Sequence, residues 1–174
     1  MTLAAVLVGG FIAAGCTVKK DFGFSLDKSF DVVGYPTANY SHADTVDAGK
    51  ASADFTKYKA DISSLEIQSG TYTITSFNGP VTQNITSGSL TVGTLSGGTQ
   101  KLLATLSNVN LFAIKGIPQP LDLTPDGKTF LQEQIMSSAN SGVVTFNIMT
   151  NETPITFSVL IHFDVKATYS KTLP

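Results

Sequence analysis

Tryptophan is absent from this 174-residue chain, and cysteine and histidine are rare. The single cysteine, Cys16, excludes an intramolecular disulfide. Charged residues make up only 14% of the sequence, and the formal net charge is −2. Proteins that bind nucleic acids need a basic surface that neutralises phosphates. The composition therefore argues against nucleic acid as a partner.

Catalytic motifs are missing as well. The sequence contains no G-x-S-x-G, no H-E-x-x-H and no P-loop pattern. Its two histidines, His42 and His162, belong to no recognisable motif, and a nucleophilic hydroxyl needs an adjacent base. We therefore predict that the protein is not an enzyme and uses no cofactor.

The N-terminal segment is strongly apolar. Residues 3–14 are all apolar or glycine. Twelve residues are too few to cross a bilayer core, which takes about 20, but they fit the roughly 7–15 residues of a signal-peptide core. The alternative, a buried N-terminal helix, would have to accommodate two adjacent glycines at about 1 kcal/mol each. Ala13-Ala14-Gly15-Cys16 follows the run and resembles the lipobox of bacterial lipoproteins.

This resemblance implies that the protein is located in the bacterial cell envelope. It implies that residues 1–15 are a signal peptide and that Cys16 becomes lipidated with fatty acids such as palmitate, since stable anchoring needs more than one acyl chain. Thr17 is not the aspartate that retains lipoproteins at the inner membrane, which implies the outer membrane. We expect a short tether over 16–20 and a single domain over 21–174.

Beyond Cys16, apolar and polar residues alternate with the period of half-buried β-strands. The first such segment spans 22–32. In the last, every odd position from Ile155 to Ala167 is apolar, and the even positions are polar except Leu160. Residues 144–148 alternate in the same way, and we predict that they form a hairpin with the last strand.

The remaining pattern favours a β-sandwich with few helices. Short segments with strand-like alternation, separated by glycine and proline, favour a sandwich or barrel over βαβ units. We predict an antiparallel β-sandwich, either jelly-roll or immunoglobulin-like, with one or two short helices. The segments behind this prediction are strands at 62–67, 72–76, 90–92, 102–106 and 109–111, a polar loop at 34–50, a helix at 51–61, and a helix at 128–140 capped by Thr124 or Asp126 and stopped by Gly142.

The polar loop at 34–50 contains the one candidate ligand site. Exposed aromatic rings bind sugars, and histidine with carboxylates can contribute ligands to a divalent cation. The candidate cluster consists of Tyr35, Tyr40, His42, Asp44 and Asp47. His162, on the outward parity of the last strand, is expected to face solvent as an ordinary surface residue.

Two functions stay open from the sequence. The first is a membrane-anchored lipoprotein that serves as a structural, accessory or adhesion subunit through contacts with protein partners, for which unpaired edge strands are suited. The alternative is a ligand-binding β-sandwich module for carbohydrate or a divalent cation.

Overall fold

The computed structural model describes residues 17–172, which form eight strands in two four-stranded antiparallel sheets. The strands are β1 (Thr17–Tyr35), β2 (Asn39–Asp47), β3 (Ile62–Phe77), β4 (Asn84–Gly93), β5 (Gln100–Asn110), β6 (Gln119–Pro120), β7 (Ser141–Thr150) and β8 (Ile155–Thr172). Sheet A has the order β1-β8-β3-β6 and sheet B the order β2-β7-β4-β5. The pairing of first with last and second with seventh strand is that of a jelly roll. The predicted antiparallel β-sandwich is confirmed.

Three short helices accompany the sheets. They are α1 (Ala48–Ala51), α2 (Ala53–Tyr58), which continues into a 3-10 turn, and α3 (Pro125–Met136). The hydroxyl of Thr124 caps α3 by accepting a hydrogen bond from the Gly127 amide at 3.1 Å. Within residues 17–172, none of the helices combines the length and apolarity needed to cross a membrane.

The core lies between the sheets, and β8 supplies its centre. All seven odd residues from Ile155 to Ala167 are buried, as predicted. β8 is flanked on both sides by β1 and β3, so its long alternation runs the length of sheet A. The rings of Phe30 in sheet A and Phe146 in sheet B meet at 5.5 Å, which joins the two layers.

The predicted hairpin between 144–148 and the last strand is wrong. β7 pairs with β2 and β4 in sheet B, whereas β8 pairs with β1 and β3 in sheet A. The connection therefore crosses from one sheet to the other. The buried side chain of Gln83 holds it by donating to the carbonyls of Glu152 and Pro154 at 2.8 and 3.3 Å. Alternation specifies which side chains face inward, but it does not specify the partner strand.

The predicted loop at 34–50 is also wrong, because it contains strand β2. Of the inward-facing residues of β2, only Tyr40 and Val46 are buried. The inward positions between them are His42 and Asp44, so the apolar period is broken. β2 is an edge strand of sheet B, where polar residues are tolerated at the rim of the core.

Other boundaries shift by smaller amounts. The signals at 62–67 and 72–76 belong to one strand, β3, which passes register irregularities between them. Those at 102–106 and 109–111 belong to β5, where Asn108 adopts a positive φ of 52° and pairing continues to Asn110.

The ends of two predicted segments change as well. Helix α3 ends at Met136 because Ser137 is extended, and Gly142 lies inside β7 rather than at the helix end. Residues 17–20 pair with the end of β8, so they are part of sheet A and not a separate tether.

The two long sides of the sandwich differ. On the side of β3 and β5, the chain from Leu111 to Met136 covers the sheet edges. It supplies amide donors from Gly116 to the Ile74 carbonyl and from Leu121 to the Gly70 carbonyl, both at 2.8 Å. On the side of β1 and β2, no further strand pairs with either edge within residues 17–172. The first side is covered, whereas the edges of the second stay open to strand addition, with α2 packed against the start of β1 through the Phe24 and Phe55 rings at 5.6 Å.

Candidate functional site

The turn between β1 and β2 brings two of the predicted site residues together. Tyr35 ends β1 and Tyr40 lies near the start of β2, and their rings meet edge to face at 5.2 Å. Tyr40 is only 7% exposed, whereas Tyr35 is 36% exposed. Burial raises the pKa of the Tyr40 hydroxyl. The buried ring thus fixes the orientation of an accessible one.

A row of uncharged polar side chains crosses the outer face of sheet B beside these rings. The register places Ser41 opposite Asn147, and Asn147 opposite Ser89. The Ser41 hydroxyl donates to Asn147 Oδ1 at 2.5 Å, and Asn147 Nδ2 lies 3.5 Å from the Ser89 hydroxyl. Three neighbouring strands therefore present one connected row of hydroxyl and amide groups.

The tyrosines and the polar row border one shallow groove of about 610 Å³. None of the residues from 17 to 172 that line it carries a charge. Hydroxyl and amide groups both donate and accept hydrogen bonds, so the groove suits a neutral polar ligand better than an ion.

The other three predicted site residues serve different contacts. His42 packs edge-on against Phe30, with ring centres 6.1 Å apart. Asp44 forms an ion pair with Lys28 Nζ at 2.5 Å, and this hydrogen bond lowers the pKa of the Asp44 carboxyl. Asp47 caps α1 by accepting from the Lys50 amide at 3.0 Å. His42 also lies beside Tyr40, with ring centres 6.3 Å apart, but of the five residues only the two tyrosines line the groove.

The structure provides no support for a cation site at these carboxylates. Within the described part of the chain, no group of three or more His, Cys, Asp or Glu side chains is arranged to hold a metal ion. Cys16, the predicted lipidation site, lies outside the described residues.

A second polar cluster surrounds His162 on the outer face of sheet A. Its Nδ1 lies 2.6 Å from Asp27 and its Nε2 lies 3.1 Å from Asp164. Partial burial disfavours the imidazolium, but the hydrogen bonds to both carboxylates outweigh it and raise the pKa of His162. A hydrogen bond from the Ser69 hydroxyl, at 2.5 Å, and the contact with His162 lower the pKa of Asp164.

This cluster lacks the order of a catalytic triad. Ser69 donates to Asp164 rather than to the imidazole, so the imidazole is not placed to take its proton as in a triad. The side chains face solvent and keep 32% (His162), 56% (Asp27) and 54% (Asp164) of their exposure. The arrangement is a cross-strand ion-pair network. His162 does lie on the outer face, as expected, but it contacts Asp27 of β1 and Asp164 of its own strand.

Comparisons with known proteins give no family. No family model matches the chain, and no curated protein matches it either. A chain from Desmodium yellow mottle tymovirus is similar over 100% of this chain and 92% of that one, with 9% identity and a TM-score of 0.32. A chain from turnip yellow mosaic virus is similar over 92% and 96%, with 10% identity and a TM-score of 0.38. At these identities and TM-scores, the likenesses carry no argument about this chain.

Proposed function

We propose that the protein is an exported lipoprotein of the bacterial outer membrane, anchored through Cys16. It acts as a structural, accessory or adhesion subunit by contacting protein partners, and it catalyses no reaction. The observation that carries the contact proposal is the open edge of β1. The anchor rests on the lipobox-like sequence before Cys16.

The edge of β1 is long enough to receive a partner strand. β1 runs from Thr17 to Tyr35, and β8 is the one strand paired with it among residues 17–172. A strand with one unpaired side presents a row of amide and carbonyl groups to which an extended segment can add. At the opposite side of sheet A, β3 is instead paired with the short strand β6 and covered by the neighbouring chain. We therefore place the partner at β1.

Charge at this edge favours selective pairing over indiscriminate pairing. Lys28 occupies an inward position of β1 and reaches Asp44 of β2 across the mouth of the sandwich. Charged residues that point inward from an edge strand discourage unselective addition of other strands. A partner that adds to β1 has to be compatible with this ion pair.

The test is a pull-down of the tagged full-length protein from detergent-solubilised membranes of its source. A double variant, Ser25→Lys with Ser29→Lys, adds charge to exposed positions of β1. Its matched control, Thr105→Lys with Ser107→Lys, adds the same charge to exposed positions of β5. We expect a stoichiometric partner with the wild type and the β5 control, and its loss with the β1 variant. No partner for the wild type, or equal capture by both variants, would contradict the proposal.

The anchor has an independent test. Cys16 is the only cysteine, so a thioether-linked lipid has one possible position. We expect the intact mass of membrane-extracted protein to include the acyl groups, and a Cys16→Ala variant to lack them and to leave the membrane fraction. An unmodified Cys16 in membrane-bound wild type would overturn the anchor without affecting the contact proposal.

The groove on sheet B favours a second candidate function, binding of a neutral carbohydrate. Asn147 and the flanking serines offer hydrogen bonds to sugar hydroxyls, and Tyr35 offers a fixed, partly exposed ring beside them. Aromatic faces with a few placed polar groups are typical of such sites.

A panel of neutral oligosaccharides, followed by calorimetry, tests this candidate. Asn147→Ala is expected to weaken binding at least about tenfold, the effect of about 1.4 kcal/mol. Thr145→Ala lies on the same strand and face but outside the groove, and it is expected to leave affinity unchanged. Equal effects of both variants would exclude the groove as the binding site.

A further inference from the structure

One end of the sandwich is a two-stranded ribbon. Residues 17–20 of β1 pair with residues 169–172 of β8. β3 starts at Ile62, opposite Tyr169, so it does not extend past that residue. Among the described residues, sheet A therefore has only two strands beyond Tyr169. We call residues 17–20 and 170–172 the ribbon.

The ribbon is basic. Lys19, Lys20 and Lys171 are all exposed, and no acidic residue occurs in the ribbon. The next acidic residue along β1, Asp21, is paired with Lys166 at 2.8 Å. Since the whole chain has a formal charge of −2, subtracting the three ribbon lysines leaves −5 on the remainder. The molecule therefore has a positive end and a negative body.

The neighbouring helical segment does not change this balance. From Ala53 to Asp61, two aspartates and two lysines cancel in formal charge. The segment instead braces the base of the ribbon, because the Tyr58 and Tyr169 rings stack at 4.2 Å and Phe22 lies 6.2 Å from Tyr58. The lysines thus extend from a packed aromatic base.

The basic end is also the end where the chain meets Cys16. A chain spans at most about 3.3–3.6 Å per residue, so Lys19 and Lys20 can lie no farther than roughly 11–14 Å from Cys16. Lys171 is paired with Val18, which brings it into the same range. Charges are largely screened beyond about 8–10 Å at physiological salt, so the three lysines interact with a membrane surface at Cys16 when the ribbon lies against it.

We propose that the ribbon is a contact surface for anionic lipid headgroups. This contact orients the sandwich with its basic end against the membrane and its body away from it. This inference rests on the proposed anchoring at Cys16. Each basic residue near an anionic surface strengthens attachment about fivefold, and any orientation that brought the negative body against the surface would be disfavoured by repulsion. A lipid at Cys16 supplies attachment, and the ribbon sets orientation.

Lysine footprinting of the full-length chain on vesicles tests the proposal. The protein is incorporated into vesicles of neutral phosphatidylcholine, or of the same lipid with anionic phosphatidylglycerol, and its amines are acylated with a soluble reagent. We expect Lys19, Lys20 and Lys171 to react more slowly on anionic than on neutral vesicles, by up to about fivefold, the factor by which each lysine's contact with the surface is favoured. This protection should disappear at high salt. The exposed lysines Lys50, Lys101 and Lys115 serve as internal controls and should react equally on both.

A matched pair of triple variants separates the ribbon from general charge. With Cys16→Ser in the background, glutamine replaces either the three ribbon lysines or the three control lysines. We expect the first variant to lose the extra, salt-sensitive retention on anionic vesicles, and the second to keep it. Equal reactivity of the ribbon lysines on both vesicles, or equal retention of the two variants, would overturn the proposal. Because this background has no thiol, the result does not depend on whether Cys16 is acylated.

Discussion

Phe163 shows how a single side chain holds the sandwich together. It is completely buried in β8, where its register partners are Leu26 in β1 and Gly70 in β3. A Cβ at Gly70 would lie 3.2 Å from the Phe163 ring, so the ring packs closely over that glycine. Removing the ring leaves a cavity that this environment cannot easily fill.

We therefore expect Phe163→Ala to lower the free energy of unfolding by about 3–5 kcal/mol in urea titrations. Leu160→Ala changes a half-buried, outward residue of the same strand and should cost clearly less. A loss below about 1 kcal/mol for Phe163→Ala would contradict the strand's assigned face, because burial of a phenylalanine is worth more than that.

His162 makes stability depend on pH in a definite direction. Its pKa is raised in the folded protein by Asp27 and Asp164, while an unfolded histidine titrates near pH ~6.5. The stabilisation is therefore complete below about pH 6.5 and is lost as the pH rises through the folded value. Because the pair partners are exposed, we expect an effect below about 1 kcal/mol.

The measurement compares urea midpoints at pH 5.5 and 8.5 for wild type and His162→Gln. His162 should make the wild type more stable at pH 5.5 than at pH 8.5, and the variant should lack this contribution. His42→Gln is the control, since His42 makes no ion pair within residues 17–172. An identical pH difference in wild type and His162→Gln would refute the role of the network.

At the scale of elements, α3 is fixed to the sheet through a glycine in its first turn. Gly127 is buried, and a Cβ there would lie 2.2 Å from the Leu102 carbonyl oxygen and 2.7 Å from Leu103 Cα. Alanine has the higher helix propensity by about 1 kcal/mol. The backbone of β5 cannot yield as a flexible side chain would, so the steric effect should dominate.

We expect Gly127→Ala to destabilise the protein by about 1–3 kcal/mol, the usual range for overpacking. Thr129→Ala, an exposed position of the same helix, should be neutral or slightly stabilising. Thermal unfolding of the two variants gives the comparison. A stabilised Gly127→Ala variant would mean that propensity outweighs contact with β5.

The elements that could be predicted from sequence are those whose periodicity is uninterrupted. β8 has an apolar residue at every inward position, and the Thr124 cap before α3 gave a recognisable start. β2 has polar His42 and Asp44 at inward positions because it lies at an edge. The prediction of a hairpin between β7 and β8 was wrong for a different reason. Pairing depends on the whole sheet order, which no local pattern encodes.

At the scale of the whole molecule, the groove depends on the same long-range pairing. Tyr35 and Tyr40 are close in sequence, so their association could be predicted. Ser41 and Asn147 are separated by 106 residues, and Asn147 and Ser89 by 58. Asn147 occupies an ordinary polar position in β7, and only the sheet order gives it these neighbours. The open side and the basic ribbon likewise emerge only from the assembled jelly roll.

The proposed outer-membrane location predicts the membrane fraction in which the protein is found. Thr17 follows Cys16, and in the lipoproteins that this segment resembles, aspartate at that position retains the protein at the inner membrane. Thr17 is exposed at the start of β1, so its substitution should leave the fold intact. Thr17→Asp is therefore expected to move the protein from the outer-membrane to the inner-membrane fraction of a Gram-negative source. Thr17→Asn, similar in size but uncharged, should stay with the outer membrane in the same density-gradient separation. If both variants remain with the outer membrane, the sorting prediction is wrong even where Cys16 is acylated.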